Sequence, residues 1–136
     1  MALKRSLKDA KFILTKVLPA ANANNNSDVI DLEAASGDPD PGMFDVEVSV
    51  PALANHTDST KTITIQVYDS ADNSSFAEIA PRIECRIPGV ASTGSLAKTF
   101  TFRLPPEVRR YLRFNQAVPS GDGDNTASSI TYSLLF

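Results

Sequence analysis

"TITIQVY", Thr62–Tyr68, decides the fold. Ile63, Ile65 and Val67 alternate with Thr62, Thr64, Gln66 and Tyr68. A strand turns successive side chains to opposite faces, so this run buries one face and wets the other. A helix would need apolar residues three and four apart. The same period recurs on both sides of the run. Phe44, Val46, Val48 and Val50 alternate with Asp45, Glu47 and Ser49, and Ile83, Cys85 and Ile87 with Arg82, Glu84 and Arg86. Phe100, Phe102 and Leu104 alternate with Thr99, Thr101 and Arg103; Ile130, Tyr132, Leu134 and Phe136 alternate with Thr131, Ser133 and Leu135. Polar residues between the apolar ones imply antiparallel sheets, each solvated on one side.

Turn-forming clusters separate these runs at residues 37–42, 54–59, 69–74, 88–94 and 119–125. Shorter candidate strands fit at residues 11–16, 29–32, 76–79 and 110–117, which makes eight or nine. The predicted fold is all-β: an antiparallel two-sheet sandwich, a jelly roll of about eight strands with a short N-terminal arm. Residues 1–10 are assigned to the arm and 11–136 to a single jelly-roll domain. Residues 20–27, small and polar, read as a surface loop.

The 136 residues are the size of one domain and enough to bury a core. With 42% hydrophobic and 21% charged residues, the composition is that of a folded soluble protein. No apolar run reaches the length of a membrane span, and the basic start lacks the apolar stretch of a secretory signal. The single Cys85 has no internal disulfide partner, which fits synthesis in a cytoplasm. Between Ile83 and Ile87 it is expected to be buried and inert.

Charge is uneven along the chain. Residues 1–16 carry five bases against one acid, residues 17–81 one base against eleven acids, and residues 82–136 seven bases against four acids. A basic arm ahead of an acidic body implies docking on something acidic or on another copy. A pI near 5.0 is far below that of nucleic-acid-binding domains, and no nucleic-acid partner is predicted.

The chain offers little for catalysis. His56 is the only histidine, in the polar loop Asn55-His56-Thr57-Asp58, and is expected to face solvent without a positioned partner. Asp38, Asp40 and Asp45 read as turn residues beside Pro39 and Pro41. Asp122-Gly123-Asp124-Asn125 has the start of a calcium loop but not its closing glutamate, and reads as turn chemistry. Catalytic residues, cofactors and metals are therefore predicted to be none.

"LPPEVRRYLRF", Leu104–Phe114, interleaves Arg109, Arg110 and Arg113 with Tyr111, Leu112 and Phe114. Strand alternation sets Leu112 and Phe114 toward the core, on one side with Arg110, and Arg109, Tyr111 and Arg113 on the opposite face. Arginines there meet cross-strand acids or guard an edge. Arg and Tyr are also enriched at protein interfaces.

Two family resemblances rest on these segments. "VYDSADNSSFAEI" (67–79) and "FRLPPEVRRYLRF" (102–114) resemble the hairpin and the arginine-bearing strand of discoidin, or galactose-binding-like, jelly rolls. The paired cysteines of that group are missing, and Phe76 stands where Trp is usual. From end to end the chain resembles the cement, or decoration, proteins of tailed-bacteriophage heads, such as that of a Bordetella podophage. The resemblance runs through the arm, "SDVIDL" (27–32), the same hairpin, "LPPEVRRYLRF" and a last strand "ASSITYSLLF" (127–136).

The second resemblance implies a non-catalytic virion protein, made in the host bacterial cytoplasm and placed on the outer capsid surface. It would bridge major capsid subunits and self-associate as a dimer or trimer. The interface expected from the residues is Lys4, Arg5, Lys8 and Lys11 of the arm with Arg109, Tyr111 and Arg113. The alternative is a carbohydrate-binding adhesion or receptor-binding module using loops 55–58 and 120–125, although neither loop carries an aromatic platform.

Overall fold

The computed structural model describes residues 8–32 and 45–135, with side chains from residue 13 onward. Arm residues 1–7, the turn at 37–42 and Phe136 lie outside the described residues. Ten strands lie among the described residues. They are β1 (Lys8–Val17), β2 (Ala23–Asn26), β3 (Ile30–Asp31), β4 (Asp45–Val50), β5 (Thr62–Ser70), β6 (Ala77–Glu78), β7 (Glu84–Pro88), β8 (Lys98–Arg103), β9 (Tyr111–Val118) and β10 (Ser129–Leu135).

The first sheet has the order β1-β10-β4-β8. In the second, β9 and β5 pair at the centre. β2 and β3 share one edge of β9, opposite residues 115–118 and 111–112; β6 and β7 share the far edge of β5. Every pairing is antiparallel. Ten strands thus fill eight places, and the chain alternates between sheets along its length in the manner of a jelly roll. The two divided places have local reasons. Ser27 interrupts β2 and β3, its Oγ accepting from the Phe114 amide at 3.0 Å. The cis Ala80–Pro81 peptide lies between β6 and β7, where Pro81 has no N–H for a ladder.

The period-two reading holds in the burial of each long strand. Val46, Val48 and Val50 of β4, Ile63, Ile65 and Val67 of β5, Leu112 and Phe114 of β9, and Ile130, Tyr132 and Leu134 of β10 are all buried. Each such aliphatic side chain contributes roughly 1.5–3 kcal/mol of burial free energy. Phe114 from one sheet stacks on Tyr132 from the other, with ring centroids 4.1 Å apart. Cys85 is buried as expected; burial first, and then the Glu84 charge, push its thiol up to about 11.

Most strand ends shift by one to three residues from the sequence reading, and two departures are larger in consequence. β1 starts at Lys8, so the strand takes in three residues assigned to the arm. β2 lies within the expected polar loop, because its inward residue is polar too. Asn25 Nδ2 donates to the Val17 carbonyl at 3.0 Å, and Asn25 Oδ1 accepts from Gln116 Nε2 at 2.9 Å. Gln116 is fully buried between the sheets, donates to Val17 O at 2.9 Å, and accepts the Tyr132 hydroxyl at 2.8 Å. Buried polar groups persist only when bonded in this way.

The Tyr132→Phe variant leaves the Gln116 amide oxygen buried without its donor. It should lose about 1–3 kcal/mol of stability by denaturant titration. An unchanged midpoint would show that Gln116 finds another donor.

Candidate functional site

The three segments that carry the resemblances are separate in sequence and meet at one corner. β5 ends in Asp69 and Ser70, directly opposite Leu112 and Tyr111 at the start of β9. Leu104 and Val108 sink into the core, and the Val108 amide donates to Pro105 O at 3.1 Å, closing the Pro-Pro-Glu turn. That turn delivers Arg109 to Asp69. Arg109 Nε and Nη2 donate to Asp69 Oδ1 at 3.0 and 2.7 Å, its backbone N–H donates to Oδ2 at 3.0 Å, and Nη2 donates to the Asp69 carbonyl at 2.9 Å. These bonds raise the Arg109 pKa above its usual value, so it stays charged. The Asp69 side chain is 7% exposed and that of Arg109 43%.

Arg110 forms a two-pronged pair with Asp31 of β3, Nε to Oδ1 at 3.0 Å and Nη2 to Oδ2 at 2.9 Å. Arg113 lies 4.0 Å from the centroid of the Phe76 ring. At the tip between them, Asp72 Oδ1 accepts the amides of Ser74 and Ser75, and Asn73 takes a positive φ of 60°. Those amides first, and then the Ser70 hydroxyl, hold the Asp72 carboxyl down at about 2. Each arginine therefore has its own partner on its own segment. Tyr111 and Arg113 lie half-buried on the outer face of β9 as expected, whereas Arg109 and Arg110 precede the strand and turn to Asp69 and Asp31, so Arg110 does not share the side of Leu112 and Phe114.

The registers also place the start of β1. Lys8 pairs with Leu135, Leu135 with Asp45, and Asp45 with Arg103, forming one row across the first sheet. From Arg103 the chain reaches Tyr111 through residues 104–110. Lys8 and the arginine corner thus share one end of the sandwich. Lys11 lies further along β1 with its side chain outside the described residues, and Lys4 and Arg5 precede the described chain.

The opposite end corrects the reading of His56. Its side chain is fully buried. Nε2 stands 2.7 Å from the Ile87 carbonyl, which can only accept, so Nε2 carries a hydrogen. Nδ1 stands 2.8 Å from Oδ2 of the equally buried Asp122, off the line of a straight hydrogen bond. Asn55 Nδ2 donates to Asp124 O at 2.7 Å, and a Cβ at Gly123 would run into the Asn55 carbonyl. Asp58 and Asp124 each accept a threonine amide and hydroxyl, from Thr60 and Thr126, and each carboxyl is thereby held below its ordinary value. Loops 55–58 and 120–125 therefore touch through Asn55–Asp124 and His56–Asp122, while Asp58 and Asp124 bond locally to Thr60 and Thr126. The two acids of the Asp122–Asn125 turn are engaged separately, and no three His, Cys, Asp or Glu side chains among the described residues gather to hold a metal.

No family model matches the chain, and no curated protein matches it in sequence. Among solved structures it is similar to PirA, at 8% identity and a TM-score of 0.53, over 93% of this chain and 95% of that one. It also matches a CBM4 structure at 10% identity and a TM-score of 0.42, over 87% of this chain and 63% of that one. A fructofuranosidase from Schwanniomyces occidentalis, complexed with fructose, matches at 11% identity and a TM-score of 0.36, with 33% of its length covered. The likeness to PirA is one of fold, and it places the chain among β-sandwiches.

A double-mutant cycle on Asp69→Ala and Arg109→Ala should return a coupling of about 2 kcal/mol, well above that of an exposed ion pair. A coupling near zero would mean the corner holds without this pair.

Proposed function

We propose that the chain is a non-catalytic structural protein of a phage virion. It binds the outer capsid surface and stabilises the head by bridging major capsid subunits. The observation that supports this reading best is the convergence at one corner. The segments 27–32, 67–79 and 102–114, which carry the resemblance to cement proteins, are bonded there through Asp31–Arg110, Asp69–Arg109 and Phe76–Arg113. The strand that follows the basic arm begins at the same end.

In this reading the sandwich is a rigid spacer with one end for the capsid. Lys4, Arg5, Lys8 and Lys11 reach an acidic capsid groove, while Arg109, Tyr111 and Arg113 pack beside it. A protein that recognises only the assembled shell stabilises it by linkage. Copies meeting at symmetry axes as dimers or trimers add multivalent retention.

Purified protein should co-sediment with undecorated heads, and retention should fall steeply with salt because the arm is basic. Deleting residues 1–7, which leaves β1 whole, should weaken binding without changing the thermal midpoint. Protein remaining in the supernatant at all salt concentrations would overturn the assignment.

A further inference from the structure

The outer face of the second sheet carries a row of side chains with no role in the corner or the core. Asn26 of β2 pairs with Asn115 of β9, Asn115 with Gln66 of β5, and Gln66 with Glu84 of β7. Neighbouring strands lie about 4.8 Å apart, so four polar side chains stand in line across about 14 Å. One pleat along, Asn24 stands beside the small side chains of Ala117 and Thr64, in register across β2, β9 and β5. On the other flank Tyr68 faces Arg113.

The amides are aligned by one another. Asn115 Nδ2 donates to Asn26 Oδ1 at 2.9 Å and more weakly to Asn24 Oδ1 at 3.4 Å. Tyr68 Oη donates to Gln66 Oε1 at 3.2 Å. Each amide thus has one polar atom engaged. Asn24 Nδ2, Asn26 Nδ2, Asn115 Oδ1 and Gln66 Nε2 have no hydrogen-bond partner among the described residues. From β2 to β5 they run donor, acceptor, donor. The charges at the far edge are matched internally: Arg82 meets Glu78 and Glu84, each at 2.7 Å, and Arg86 meets Glu84 at 3.0 Å.

We infer that this row is a binding site for a neutral, hexose-based polysaccharide laid across the strands. Sugar hydroxyls both donate and accept, so vicinal pairs match alternating amide donors and acceptors, and a linear hexose polymer repeats on about the strand spacing. Asn26, Asn115 and Gln66 are uncharged, and Glu84 at the end of the row is matched by Arg82 and Arg86, so the row offers little to a charged ligand. Because the amides are held by neighbours, little side-chain freedom is lost on binding. The inference does not rest on capsid binding: the row lies along β2, β9 and β5, away from the arm and from Arg109.

Isothermal titration of the full chain with soluble neutral glucan, mannan and galactan oligosaccharides tests it. At least one should bind with little dependence on salt. Asn115→Ala and Gln66→Ala should each weaken that binding about tenfold, the loss of one or two hydrogen bonds. Thr101→Ala, on the other sheet, should leave it unchanged, and all three variants should melt near the parent. No binding to any of the three, binding indifferent to Asn115 and Gln66, or binding only to charged glycans in low salt would overturn the inference. Head co-sedimentation unaffected by Asn115→Ala would separate this site from the capsid end.

Discussion

Asp69 is a carboxylate taken almost entirely out of water, and the end of the sandwich is organised around satisfying it. Desolvating a carboxylate is unfavourable by several kcal/mol unless its oxygens are bonded. Arg109 supplies that with two side-chain donors to Oδ1 and its own backbone amide to Oδ2. The backbone bond matters most for geometry, because it fixes where β9 begins relative to β5. Leu112 then falls opposite Asp69, Phe114 opposite Val67, and the ring of Phe114 against Tyr132 of the other sheet. A one-residue slip would turn Leu112 and Phe114 outward and expose the core.

The long strands were legible in the sequence because their two faces differ in chemistry. Thr62–Tyr68, Phe44–Val50 and Ile130–Phe136 announce themselves by period alone. β2 was not legible, since Asn24, Asn25 and Asn26 look alike although one faces in and two face out. What distinguishes Asn25 is a partner, Gln116, ninety-one residues away. His56 was misread for the same reason. Its local sequence is polar, but Ile87 O and Asp122 come from distant segments and enclose it. Of the arginine stretch, the alternation of Leu112 and Phe114 was readable; the pairings to Asp31, Asp69 and Phe76 depend on which segments the topology brings together.

The two ends of the sandwich differ in how their charged groups are engaged. At the His56 end, loops 51–61 and 119–128 are joined through Asn55–Asp124 and His56–Asp122, and loop 51–61 also bonds to residues 87–95. At the arginine end, paired charges hold a rigid surface beside the start of β1. The outer face of the second sheet is different again, since its amides at Asn26, Asn115 and Gln66 each have one polar atom engaged.

The Asp69 lock is tested most directly by amide hydrogen exchange, comparing Asp69→Ala with the parent. The account predicts that residues 70–75 and 109–113 lose protection together, while β4 and β10 keep theirs. Protection unchanged at both segments, or lost in one and kept in the other, would contradict it.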